Sequence, residues 1–117
     1  MQYLLMCCFD ETEWAKLPDS QRARVMDEYG KLLHELKKSG RLLAGAKLDR
    51  SASAVTVREK NGKPLITDGP FAETKEQLGG YHLIDCKDRD EAVSIALRIP
   101  TLAVGGVIEV RPLMGME

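Results

Sequence analysis

Asp68-Gly-Pro-Phe-Ala-Glu-Thr-Lys-Glu-Gln-Leu-Gly-Gly-Tyr81 joins two halves of the chain, each with a strand–helix–strand pattern. Asp-Gly-Pro is turn chemistry: Asp bonds its own backbone, Gly takes positive φ freely, and Pro holds φ at about −65°. Glu73, Thr74, Lys75, Glu76 and Gln77 are too polar for a core. Gly79-Gly80 lets the backbone turn sharply or approach another group. The expected form is a short charged loop helix between two kinks, with a strand resuming at Tyr81 and ending at Cys86.

Upstream, Ser53–Lys60 and Lys63–Thr67 flank Asn61-Gly62, the strongest two-residue hairpin signal, so they pair antiparallel with Asp68 at the base. Before the hairpin, Arg41–Leu48 reads as a strand whose Ala44-Gly45-Ala46 permits close packing. A long amphipathic helix feeds it. Asp19 or Ser20 is its expected N-cap, Val25, Tyr29, Leu32, Leu33 and Leu36 form its apolar stripe, and Gly40 stops it. His34 lies off that stripe beside Glu35, as a solvated or interface residue. The first strand, Gln2–Phe9, is apolar on both faces: Tyr3, Leu5, Cys7 and Phe9 on one, Leu4, Met6 and Cys8 on the other. Between strand and helix, Asp10–Pro18 carries the single tryptophan, Trp14, expected in a helical turn over the sheet edge or a pocket mouth.

Downstream of Tyr81–Cys86, Asp88 caps a mostly buried helix that runs to Pro100, with Asp90 and Glu91 in its first turn. In the last strand, Val107–Pro112, Ile108 and Val110 face one way while Glu109 and Arg111 face the other. These elements specify an α+β fold: a ferredoxin-like split βαβ domain over residues 1–117, one antiparallel sheet with both helices on a single face and an inserted β-hairpin. The helices cover only one side of the first strand. The face with Leu4, Met6 and Cys8 needs another cover, and a second copy of the same sheet supplies it, so a homodimer is expected.

Composition narrows the partners. A chain of 117 residues with 44% hydrophobic content supports one core, and a net charge of −1 leaves no electrostatic footprint for nucleic acid or an anionic membrane. The apolar N-terminal run is too short to span a bilayer and has no basic region before it, so the expected location is cytoplasmic. Cys7, Cys8 and Cys86 have neither disulfide parity nor metal spacing and read as packed thiols. Two histidines and scattered carboxylates give no metal site, and no glycine-rich nucleotide motif follows a strand, so no cofactor is expected.

Asp68-Gly-Pro-Phe71 with Glu73, Lys75-Glu76 and Leu78-Gly-Gly-Tyr81 resembles the signature of the DGPF branch of the YCII-related proteins. Tyr29, Leu36, Gly40 and Leu42, then Asp90-Glu91-Ala92 and Glu109-Val-Arg-Pro112, extend the resemblance over nearly the whole chain. It implies a dimeric α/β barrel. The broader group is associated with a histidine–aspartate pair, and the histidine's place is taken here by Tyr29, a poor base at neutral pH with a reference pKa of about 10. That acid–base chemistry does not carry over intact. Relatives of this architecture include dehydrochlorinases and isomerases of small oxygenated rings, and DGPF members are often encoded beside extracytoplasmic-function sigma factors.

Two sets of residues are candidates for chemistry. Glu109 and Arg111 point to the face a dimer would enclose, with Tyr81 and Leu83, and either satisfy each other or await a ligand. Asp68 either caps its own loop or serves as a carboxylate over the cavity; His82, whose alternation directs it to the helix side, is the other candidate base at the cavity mouth. Three functions follow. The first is a small-molecule-binding homodimer with Asp68, Tyr29, Tyr81, Glu109 and Arg111 around one cavity per protomer. The second is a cofactor-free lyase or isomerase with Asp68 or His82 as catalytic base and Arg111 holding an anionic substrate. The third is an accessory protein of a transcription regulator, docking through the hairpin and charged loop.

Overall fold

The computed structural model describes residues 1–115; the last two residues of the expected domain lie outside that range. In chain order the elements are β1 (Gln2–Phe9), α1 (Glu11–Lys16), α2 (Asp19–Lys38), β2 (Leu42–Lys47), β3 (Val55–Lys60), β4 (Lys63–Asp68), β5 (Gln77–Asp85), α3 (Arg89–Ala96) and β6 (Val107–Pro112). The main sheet has the order β2-β5-β1-β6 with every neighbouring pair antiparallel. This is the ferredoxin-like arrangement, and β3–β4 forms a separate hairpin inserted between its second and third strands.

Side-chain alternation sorts the sheet into two unlike faces. Tyr3, Leu5 and Cys7 on β1 stand beside Ile84, His82 and Gly80 on β5, all buried under the helices. Leu32 and Leu36 from α2 and Ala92, Ile95, Ala96 and Ile99 from α3 and its exit complete that core, with Leu5, Ile84 and Ile95 at its centre. On the opposite face Leu4 is paired with Leu83 and Arg111, and Met6 with Tyr81 and Glu109. Leu4, Met6, Cys8, Tyr81 and Leu83 are only half-buried there.

The hairpin turns where Asn61-Gly62 demands, with φ of 53° and 75°, the left-handed pair of a tight hairpin. It carries its apolar residues into solvent: Val57 is 69% and Ile66 66% exposed, and the two are cross-strand partners. The whole molecule is accordingly flat, 48 × 47 × 19 Å, with a radius of gyration of 16.2 Å. A compact domain of this length would have about 13 Å.

Three local expectations are corrected. No loop helix forms between Asp68 and Tyr81: residues 69–76 run as bends, and β5 starts at Gln77. The segment has no apolar stripe to bury, whereas Gln77 and Leu78 gain ladder partners in Phe9 and Cys8, and the Gln77 amide donates to Ala72 O and Thr74 O at 3.2 and 3.0 Å. Gly79 and Gly80 consequently lie inside a strand. Gly79 is the extra residue at the Cys7/Cys8 irregularity, and a Cβ there would stand 1.9 Å from the Phe9 ring, so close approach is the alternative realised. Second, α2 has Pro18 at its cap and no side-chain cap bond. Arg22 secures the entry by donating to Ala15 O and Leu17 O at 2.8 and 2.7 Å and pairing with Asp19. Third, α3 ends at Ala96, and Pro100 instead opens a short turn, 100–104. Asp88 caps α3 as expected, accepting from Glu91 N at 2.9 Å.

Candidate functional site

α2 crosses the buried face of the sheet without closing on edge strand β2, and the gap is a cavity of about 470 Å³. Phe9 and Trp14 wall one end, their rings packed edge to face with centroids 6.0 Å apart. Leu33 and Leu42 add aliphatic surface, and Lys37 and Lys47 are the charged side chains of the lining. That volume lies within the range of small-molecule sites.

Tyr29 and His82 meet in this lining. Tyr29 Oη lies 2.5 Å from His82 Nε2 and 3.1 Å from Cys7 Sγ. Imidazole nitrogen is a stronger acceptor than sulfur, so the Tyr29 hydroxyl donates to Nε2 while the Cys7 thiol donates weakly to Oη. His82 then carries its ring proton on Nδ1. The residue is 7% exposed and Nδ1 has no partner among the described residues, nor has Thr101 Oγ1, which lines the same cavity. A buried polar atom without a partner is uncommon and calls for a cause.

The backbone makes room for this arrangement at Gly45. It pairs with His82 across β2–β5, and a Cβ on it would come within 2.6 Å of Nδ1. Gly30 is the opposite case. It lies in mid-α2 on the cavity wall, a Cβ there would meet nothing within 4 Å, and glycine in a helix interior costs about 0.5–1 kcal/mol relative to alanine. No packing among the described residues requires it.

Burial sets the charge states. It pushes the His82 imidazole below its ordinary value and the Cys7 thiol above its own. Burial holds the Tyr29 phenol far above its ordinary range. All three groups are therefore uncharged at neutral pH, and the chain Cys7–Tyr29–His82 is a neutral hydrogen-bond relay. Reversing both bonds would move the ring proton to Nε2 and leave Nδ1 as a base.

The six residues singled out in the sequence fall in three places rather than around one cavity. Tyr29 and His82 share the cavity under α2. Tyr81, Glu109 and Arg111 lie on the other face of the sheet, where Arg111 Nη2 and Glu109 Oε2 close on each other at 2.6 Å with side chains 68% and 51% exposed. Asp68 lines neither; it ends β4 in solvent. Its loop is closed by Gly69 N donating to Ala54 O and Thr56 Oγ1 donating to Gly69 O, both at 2.7 Å, and not by the Asp68 carboxylate. The partner of His82 is thus a phenol where the sequence suggested a carboxylate. Cys7, Gly30, Lys37, Lys47 and Thr101 were not singled out for this site, and Gly45 was read only for close packing within Ala44-Gly45-Ala46. Of the first five only Gly30 had a signal, as a glycine interrupting a strong helix. Among the described residues no His, Cys, Asp and Glu side chains group to hold a metal, and no helix is long and apolar enough to cross a membrane.

Comparison with known proteins adds a family. Among solved structures the chain is similar to the 5-chloro-2-hydroxyhydroquinone dehydrochlorinase TftG of Burkholderia phenoliruptrix AC1100, solved with 2,5-dihydroxybenzoquinone. That likeness has a TM-score of 0.49 and 16% identity, and covers 97% of this chain and 94% of the other. An uncharacterised protein of Rhizobium meliloti (strain 1021), R00369, is 37% identical over 114 residues, 97% of this chain and 92% of the relative. The family model of the YCII-related domain matches residues 1–117, and with that match spanning both strand–helix–strand halves and the loop between them, the chain belongs to the YCII-related domain family.

Proposed function

We propose that this protein binds a small, largely apolar molecule in the cavity between α2, β2 and β5, as a homodimer of the DGPF branch. The observation that carries the reading is His82: a side chain 93% buried by its 7% exposure, held by Tyr29 through one nitrogen, with the other unpartnered beside Gly45 in the cavity lining. A bound molecule offering an acceptor would satisfy it. Gly30 supports the same reading, since its open side gives the space a ligand needs. The dimer is supported by the half-buried Leu4, Met6 and Leu83 on the face away from the helices.

A second reading, catalysis of a lyase or isomerase type, is favoured by the relay itself. A neutral histidine whose Nε2 is fixed by Tyr29 is suited to exchange a proton at Nδ1 with a bound substrate. Asp68 and Arg111 have no part in that version, because neither lines the cavity.

Trp14, the single tryptophan, reports on occupancy. Its fluorescence and the thermal unfolding midpoint are followed against a panel of small aromatic and aliphatic compounds, in the native chain and in Gly30→Leu, whose side chain would grow into the open space. Binders that lose affinity in Gly30→Leu support the site. A panel that leaves both signals unmoved, or binding indifferent to Gly30→Leu, would sink it.

A further inference from the structure

The cavity lining is one-sided in charge. Its ionised side chains are Lys37, in the last turn of α2, and Lys47, at the end of β2; among the described residues no aspartate or glutamate lines it. Neither lysine forms an ion pair among the described residues, although Lys16 on α1 and Lys31 on α2 do. The remaining polar atoms are donors or adaptable: Nδ1–H of His82 when Tyr29 donates to Nε2, and the Thr101 hydroxyl. Apart from these and the hydrogen-bonded Cys7 and Tyr29, the wall side chains are apolar, aromatic at Phe9 and Trp14 and aliphatic along Leu33 and Leu42.

We infer that the ligand is an amphipathic monocarboxylate, with its apolar body against Phe9, Trp14, Leu33 and Leu42 and its carboxylate satisfied by the lysines. This deepens the binding reading above and rests on it. A cavity with two unpaired ammonium groups and no carboxylate rejects amines by repulsion and prefers an acid to its neutral amide. A phosphate ester is the poorer fit. Phosphate sites are built from arginine forks, backbone nests or helix N-termini, whereas Lys37 sits at the C-terminal end of α2, where the helix dipole opposes a second negative charge.

Calorimetric titration of the full chain tests this with matched sets: phenylbutyrate, phenylbutanamide, phenylbutylamine and phenylbutyl phosphate, and octanoate with its amide and amine. Both lysines are exposed, so Lys37→Gln/Lys47→Gln is expected to fold as the native chain does, checked by its unfolding midpoint. The expected result is that each acid binds about tenfold or more tightly than its amide, that the amines do not bind, and that the double variant or added salt brings acid and amide together. Amide binding equal to acid binding, acid binding unchanged in the double variant, or a phosphate ester binding more tightly than the acid overturns the carboxylate assignment and leaves the cavity reading standing. Binding by none of the compounds overturns both.

Discussion

Gly45 faces His82 across the β2–β5 pair so closely that a methyl group on it would stand 2.6 Å from Nδ1 and 3.0 Å from the Tyr81 carbonyl. One of those neighbours is a buried ring and the other is backbone, so neither can yield cheaply. Gly45→Ala is expected to destabilise the fold by about 1–3 kcal/mol through overpacking. Urea unfolding followed by Trp14 fluorescence measures it. A cost below a few tenths of a kcal/mol would mean that His82 is free to swing away.

Gly30→Ala should move stability the other way. Nothing lies within 4 Å of the position its Cβ would take, and the helix gains about 0.5–1 kcal/mol of propensity. The same urea titration reads both glycines, and opposite signs are the expected pattern. If Gly30→Ala destabilises, the space beside α2 is smaller than the geometry indicates.

Tyr29→Phe removes one hydroxyl and strands two groups, His82 Nε2 and Cys7 Sγ. Leaving a buried nitrogen unpaired costs about 1–3 kcal/mol, while the phenyl ring preserves the packing. The loss should therefore appear in stability, and it should shrink in the double variant Tyr29→Phe/His82→Leu, where the stranded nitrogen is gone. A double-mutant cycle with no coupling between the two positions would break the relay apart.

The pH dependence follows from the depressed His82 pKa. Between the folded value and the ordinary value of 6.5, the unfolded chain binds a proton at this residue that the folded chain does not. The contribution is therefore intact above about 6.5, is lost progressively as pH falls from there, and levels off below the folded pKa. In His82→Gln, which keeps a hydrogen bond to Tyr29 and cannot titrate, the decline in stability between neutral and mildly acidic pH should be shallower than in the native chain. Equal slopes would show that His82 is solvated.

Much of this was legible beforehand, for reasons of period. Alternation in Gln2–Phe9, Tyr81–Cys86 and Val107–Pro112 and the stripe of α2 are repeated signals, so the fold class and the sidedness of Glu109, Arg111 and His82 could be read from them. The site was less legible because it is made by a long-range crossing. Tyr29 and His82 are 53 positions apart, and only the closure of α2 over β5 brings the phenol to the imidazole. Asp68 drew attention as turn chemistry, and the turn is real, with Gly69 at φ 92°, but a turn at the base of an inserted hairpin lies outside the cavity. Gly79-Gly80 had two readings, a bend or a close approach, and only the position of the Phe9 ring decides between them.

The open sheet face makes the last prediction. Met6 sits between Tyr81 on β5 and Glu109 on β6, and Leu4 between Leu83 and Arg111, so an apolar row runs down the centre of a face whose charged pair stands to one side. A solitary sheet could leave such a face wet, but the exposed Val57 and Ile66 of the hairpin and the 19 Å thickness leave this chain short of covered apolar surface for its length. Two copies joined through these faces would bury the row. Sedimentation equilibrium at micromolar concentration is expected to give twice the 13.0 kDa chain mass. Met6→Glu sets a carboxylate directly opposite Glu109, where like charges repel across a strand pair, and should return the mass to that of one chain while the cavity under α2 stays formed. A native chain that sediments as a monomer would remove the dimer and leave the Tyr29–His82 cavity untouched, since that cavity lies on the helix side of the sheet, opposite the row of Leu4 and Met6.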